Sequence, residues 1–276
     1  MLMSLAIIPS IVLLVYIYKK DKREKEPIKL LIKCFIWGMI SIAPVLIQEL
    51  VIEVFVDELW IEGSVPYAMV DAFLVAAFTE ELFKYLVLKI TTWKSKHFNC
   101  TFDGIVYSVF VSLGFATFEN IFYVLDGGLS SALLRMFTAV PGHACDAVFM
   151  GYFYSKAKKC EVDNDKKGMR RNKRKALLIP LILHGIYDCL LSLDEEVVGE
   201  GILVMSVLSW MAFVLIEFIV SFIIVNNASK KDTYLCPVNI SGVYAPQFNM
   251  IRGTWICSCR NVNTSNFCPV CGHPRP

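Results

Sequence analysis

The chain is short of charge. Only 19% of its 276 residues are Asp, Glu, Lys or Arg, while 56% are hydrophobic, and the mean hydropathy is +0.55. Ordinary soluble domains carry roughly 25% charge and about 45–50% apolar residues, so this composition excludes one. A net charge of +2 is too small to suggest a polyanionic partner, and no nucleic acid is expected. No basic segment precedes the first apolar run, whose positive charges follow it instead, so that run reads as a retained membrane segment rather than a secretory signal. Tandem repeats and low-complexity tracts are also missing. So is the internal symmetry of paired halves that many transporters show.

What is present is hydrocarbon in blocks. The apolar residues fall in runs of roughly 18–25, the length a helix needs to cross a bilayer core about 30 Å thick. This predicts an all-α polytopic membrane protein with about seven transmembrane helices. The spans begin near Leu2, Ile32, Tyr67, Phe102, Leu129, Ala176 and Gly201 and end near Tyr18, Val54, Ile90, Leu125, Tyr154, Leu193 and Val225. A short Asp126-Gly127-Gly128 turn separates the fourth from the fifth. The other connections alternate in charge. Lys19, Lys20, Lys22, Arg23 and Lys25 follow the first span, Glu53, Asp57, Glu58 and Glu62 the second, and Lys89, Lys94 and Lys96 the third. The fifth connection holds ten basic residues between Lys156 and Lys175, and the sixth has Asp194, Glu195, Glu196 and Glu200. Because Lys and Arg bias loops toward the cytoplasm, the expected topology is a multi-pass protein with its N-terminus outside and its C-terminus cytoplasmic.

Beyond the transmembrane domain, residues 1–226, the chain turns polar through a linker, 227–250, into a tail, 251–276. The tail carries Cys257 and Cys259, then Cys268 and Cys271, spacing that suits one tetrahedral zinc ion. So short a segment cannot bury enough apolar surface to fold unaided, so bound Zn2+ is expected to supply its folding free energy. Paired disulfides are the alternative, disfavoured in a reducing compartment. From Trp255 to Gly272, with Asn263 and Phe267 between the cysteine pairs, the string resembles short zinc ribbons appended to bacterial membrane and stress proteins. Four thiolates leave no open coordination position. The resemblance therefore implies a structural module or one that recruits a cytoplasmic protein partner.

Ionisable groups inside spans are costly and need a partner or a function. Glu80, Glu81 and Lys84 lie in the third span, with Glu80 and Lys84 on one helical face. Glu119 and Asn120 lie in the fourth, His143 with Asp146 one turn on in the fifth, and His184 and Asp188 four apart in the sixth. Helical rise puts Glu80, His143, His184 and Glu119 at roughly 20, roughly 21, roughly 14 and roughly 9 Å below the outer surface, so four helices can share one polar cavity. Carboxylates beside imidazoles in such a cavity can activate water, with or without a metal. Each group also has a plainer reading: Glu80 with Lys84 as an ion pair, His184 with Asp188 as a packing hydrogen bond, His143 as a core histidine. Glu217, in the last span, has no such company and reads as a helix-pairing residue, and Asp71 is expected near the outer interface.

Four motifs then occur in order: Glu-Glu-x-x-Lys at Glu80, Glu81 and Lys84; Phe-x-x-x-Glu-Asn-x-x-Tyr at Phe115, Glu119, Asn120 and Tyr123; Pro-Gly-His-Ala at Pro141 to Ala144; and His-Gly-x-Tyr-Asp at His184 to Asp188. Together they resemble the PrsW family of intramembrane proteases. The more distantly similar CAAX-processing and bacteriocin-immunity proteases have Glu-Glu-x-x-x-Arg, from which this chain departs with Lys84 and Glu119. The resemblance implies hydrolysis of peptide bonds in a membrane protein substrate within the lipid bilayer, with anti-sigma factors as the substrate class. The expected catalytic residues are Glu80, Glu81, His184, Glu119 and His143, supported by Lys84, Asn120 and Asp188. Whether a catalytic metal joins them stays open, as does which glutamate is the base, because adjacent carboxylates can titrate as a pair. The rival reading is a non-enzymatic transporter, or a scaffold whose zinc ribbon recruits a partner.

Overall fold

In the computed structural model, residues 2–62, 64–235, 255–256, 262–263 and 265–268 are described. The chain is helical almost throughout, as apolar runs must be where no water can satisfy backbone groups. The order is α1 (Leu2–Lys20), α2 (Ile28–Ile40), α3 (Ile42–Leu59), α4 (Val65–Val70), a π-helical segment (Asp71–Ala77), α5 (Phe78–Thr92), α6 (Asp103–Phe137), α7 (Ala139–Val162), α8 (Lys166–Leu191), α9 (Glu195–Val198) and α10 (Glu200–Lys230). Helix falls on each of the seven apolar segments. Four stretches are long and apolar enough to cross a membrane: Leu2–Lys20, Ile28–Leu59, Asp103–Val162 and Glu200–Lys230. The stretch from α4 to α5 and helix α8 are less apolar because they carry the acidic, basic and histidine side chains of interest.

Helix starts follow from local chemistry. Ser64 accepts a hydrogen bond from the Tyr67 amide at the start of α4, and Asp165 accepts one from Gly168 at the start of α8, each satisfying an orphan donor of the first turn. Within α6 the chain reverses at Gly128, whose φ of 64° and ψ of −145° break the helix; such backbone suits a residue with no Cβ. Residues beyond it return along the first arm, so that Arg135 reaches Glu119 at 2.8 Å. In a straight helix those residues would stand about 24 Å apart. The predicted Asp126-Gly127-Gly128 turn is thus present. The predicted fifth span is divided at Thr138, with φ −122° and ψ −69°, before α7 begins.

Helix α6 is the axis of the molecule. Most of its first arm is buried, and α1, α2 and α7 pack directly against it, with α8 beyond α7. Close approach depends on small residues: a Cβ on Gly38 of α2 would strike the Val111 carbonyl of α6, and one on Gly114 of α6 would strike the Phe35 carbonyl of α2. The outer helices leave apolar side chains exposed, including Ile47, Phe55, Leu215 and Ile216, as lipid-facing surfaces do. At the end of the bundle where α1 finishes, polar side chains tie the loops. Asp103 accepts the Asn99 and Cys100 amides, Asp232 accepts the Phe102 amide and the Thr101 hydroxyl, and Tyr107 donates to Glu26. Glu26 is buried there, and burial lifts its carboxyl from the ordinary range to about 8 against the opposing Tyr107 hydrogen bond.

In the tail, Trp255–Ile256 and Val262–Asn263 form an antiparallel pair, with Trp255 opposite Asn263, and Cys268 is buried. Cys257, Cys259 and Cys271, three of the four predicted zinc ligands, lie outside the described residues, as do residues 236–250 of the linker and 251–254 of the tail.

Candidate active site

The π-helical segment widens the helix just before Phe78, and α5 then presents Glu80, Glu81 and Lys84 inward, with relative exposures of 7%, 1% and 0%. An ammonium so enclosed needs anions around it. The Lys84 Nζ finds them at 2.8 Å from Glu80 Oε2 and 2.7 Å from Glu81 Oε1, with His143 Nδ1 at 3.1 Å. Its open side lies over the Phe115 ring, 4.4 Å from the centroid, a favourable place for a desolvated cation.

The two histidines arrive from α7 and α8, their ring centroids 5.3 Å apart. His143 Nε2 lies 2.8 Å from Glu119 Oε2. Lys84 can only donate, so His143 Nδ1 accepts from it, and the ring proton sits on Nε2 and points at Glu119. His184 Nδ1 lies 3.0 Å from Glu81 Oε1, and its Nε2 lies 3.0 Å from Asp188 Oδ2 and 3.9 Å from Glu80 Oε2. Each imidazole therefore has a carboxylate behind it, Glu119 for His143 and Asp188 for His184. Metal-binding histidines are commonly oriented this way.

All five predicted catalytic residues meet in this cluster, along with Lys84 and Asp188. Asn120 does not face the cavity. It is fully buried, donates to the Ala6 carbonyl at 3.1 Å and accepts from Arg135 Nε at 3.0 Å, so its amide fixes α6 to α1 and holds Arg135 against Glu119.

A cavity of about 350 Å³ opens onto the cluster, and its walls include residues the sequence reading placed elsewhere. Glu217 lines it together with Asp146, the two lie within hydrogen-bonding reach of each other, and Asp146 Oδ1 and Glu217 Oε1 have no other partner. The expectation that Glu217 stands apart is therefore corrected: α10 packs on α7 and brings Glu217 to Asp146. Asp71 also lines the cavity, with Glu49 and Glu53 of α3. Arg135 was missed altogether. Its signal was present in the sequence, an arginine inside an apolar segment, which must find an anion.

Four donor groups, Glu80, Glu81, His143 and His184, place one ligand atom each within 4.8 Å of one another, and all four are buried. Two carboxylates and two imidazoles are a donor set that divalent transition metals accept. Glu81 Oε2 is buried with no hydrogen-bond partner among the described residues, a lone pair that suits such a ligand. The residues fit a metal, with the qualification that Lys84 hydrogen-bonds to three of the same groups, so a bound cation would have to displace the ammonium from them.

A model of the PrsW family intramembrane metalloproteases matches residues 26–218, the region from the loop before α2 into α10, with the tail outside it. Protease PrsW of Geobacillus kaustophilus is 36% identical over 195 residues, 71% of this chain and 81% of that protein. The Oceanobacillus iheyensis protease PrsW is 38% identical over 190 residues, 69% and 82% of the two chains. The Bacillus subtilis protease PrsW is 34% identical over 191 residues, 69% and 83%. No solved structure matches the chain. With a family match over most of its length and relatives covered over more than two thirds of theirs, this chain belongs to the PrsW family and is a multi-pass intramembrane protease.

Proposed function

We propose that this protease hydrolyses a peptide bond of a membrane protein at the Glu80, Glu81, His143 and His184 cluster, with water as the nucleophile. The observation that carries the proposal is the convergence of four buried donors from three helices within 4.8 Å. These four residues would hold a divalent metal ion, which when bound supplies Lewis-acid polarisation and a more acidic water.

The chain's own groups do the rest. Glu80 and Glu81 form a coupled pair from which the base is drawn, taking the proton of the attacking water. Without a bound metal, Lys84 supplies the counter-charge that two carboxylates enclosed away from water require. His184, oriented by Asp188 at 3.0 Å, helps position the water or stabilises the oxyanion, and the proton taken by the base passes on to the leaving amine. Glu119 holds His143, and Arg135 in turn holds Glu119. The cavity wall of α3, α7 and α10 encloses the substrate segment, and its acidic lining favours a segment that brings cations. The substrate class implied by the family likeness is an anti-sigma-factor-like membrane protein.

The chain crosses the membrane about seven times in this reading, N-terminus outside. The tail is a zinc ribbon held by Cys257, Cys259, Cys268 and Cys271 that docks a cytoplasmic partner, and the strand pair at Trp255–Ile256 and Val262–Asn263 supports it. The test is metal content of the full-length protein in which the four tail cysteines are replaced by serine. One metal equivalent retained, and lost on adding His143→Ala with His184→Ala, is the expected result. A metal-free protein with full proteolytic activity would remove the metal from the mechanism.

A further inference from the structure

The basic connection before α8 is not a loop. Helix α8 begins at Lys166, ten residues before the predicted span at Ala176, and runs on into it as continuous helix, its first turns packed on the end of α7 through Asn172 and Cys160. Lys166, Lys167, Arg170, Arg171, Arg174 and Lys175 recur as pairs four residues apart, each pair advancing about 6 Å along the helix. All six are exposed, while Gly168, Asn172 and Ala176 between them are buried. Other cations of this region are paired: Lys158 lies 2.7 Å from Glu161, Lys159 lies 2.8 Å from Asp163, and Lys173 sits 3.8 Å over the Trp93 ring. The six form no ion pair among the described residues, although Lys175 lies 5.5 Å from the centroid of the Phe153 ring.

An open space of about 840 Å³ lies along this band on the surface of α8, and Leu178 and Ile179 continue its lining. Leu178 and Ile182 are both about half exposed. One helix face thus passes from fixed positive charge to exposed aliphatic surface where α8 enters the hydrocarbon.

We propose that this face of α8 is a docking site for anionic phospholipid, its phosphate headgroup held by the arginine and lysine pairs and its acyl chain laid over Leu178 and Ile182. The charge complementarity is that of juxtamembrane basic clusters for anionic lipid. The aliphatic continuation favours lipid over nucleic acid, whose phosphates would match the band but leave Leu178 and Ile182 in water. Loop topology requires only that basic residues be numerous on one side. It does not require them unpaired on one face of a rigid helix.

The test uses full-length protein in nanodiscs of equal parts phosphatidylglycerol and phosphatidylcholine, with bound lipids counted by native mass spectrometry after transfer to detergent. Each basic residue near an anionic surface is worth about fivefold in affinity, so R170Q/R171Q/R174Q is expected to lower the preference for phosphatidylglycerol by at least about twentyfold. R170K/R171K/R174K, which keeps the charge, should retain it within a few-fold. If the glutamine variant inserts poorly, K166Q/K167Q gives the same comparison at the outer end of the band. Equal retention of the two lipids by the unaltered protein, or an undiminished preference in the glutamine variants, overturns the proposal. Displacement of the lipid by inorganic phosphate or by a short DNA duplex at the same ionic strength also overturns it, since the headgroup would then not be the occupant.

Discussion

At the residue scale, the site is a chain of charge compensation in which no member can be removed alone. Lys84 is enclosed by Glu80, Glu81 and His143, and Glu119 is shared by His143 and Arg135. Arg135→Leu leaves Glu119 buried with a single partner and should destabilise the protein by about 3–5 kcal/mol, the usual cost of breaking a buried pair. A thermal-unfolding comparison with Arg135→Lys, expected to recover part of the loss, checks this. Away from the membrane, the raised Glu26 carboxyl sets a pH dependence of a stated sign. Its folded value of about 8 exceeds the ordinary 4.5, so its contribution is complete below the ordinary value and lost as pH rises through about 8. Asp21, lifted to about 6 by the same burial, acts in the same direction. Stability should therefore fall between about pH 5 and pH 8, and Glu26→Gln should flatten the profile. A profile that rises over this range contradicts the assignment. The motif residues were legible because charge in an apolar run stands out. Arg135, Glu217 and Asp71 carried the same mark, but their partners are distant in sequence, and only tertiary packing joins Glu217 to Asp146.

At the scale of the element, apolar runs and the Asp126-Gly127-Gly128 signal made the helices and the reversal legible. Nothing in composition marks the π-helical segment Asp71–Ala77, because one extra residue in a helical turn leaves the apolar pattern nearly intact. Its consequence is large, since it sets the relative rotation of Asp71 and Glu80. Deleting Ala76 should restore regular helix and turn the two sides relative to each other by about 100°. Helical content by circular dichroism should stay unchanged while proteolysis is lost. Retained activity would show that the segment does not position the carboxylates. Hydropathy marks where the sixth apolar segment begins and not where α8 begins: Lys and Arg are good helix formers, so the helix extends ten residues before the apolar boundary.

At the scale of the whole molecule, loop charges and helix order support one orientation. Single cysteines in the 194–200 loop should react with an impermeant reagent from outside, and those in 160–172 should not. The reverse pattern contradicts the orientation. Removing zinc should unfold residues 251–276 in an isolated tail peptide; a dispersed NMR spectrum that survives excess chelator contradicts the ribbon. Neither result touches the central claim, that Glu80, Glu81 and His184 activate water inside the bundle. The most direct measurement of that claim is cleavage of a membrane substrate per folded molecule in reconstituted protein. Glu80→Gln, Glu81→Gln and His184→Ala should each lower it by at least about 100-fold, the lower range for general acid–base catalysis. Glu196→Gln, exposed on the short helix α9 and not among the residues that line the cavity, serves as the control, since Glu217 lines the site. Near-unaltered specific activity in all three variants, even with less protein inserted, would mean that the cluster holds the helices together and the chemistry lies elsewhere.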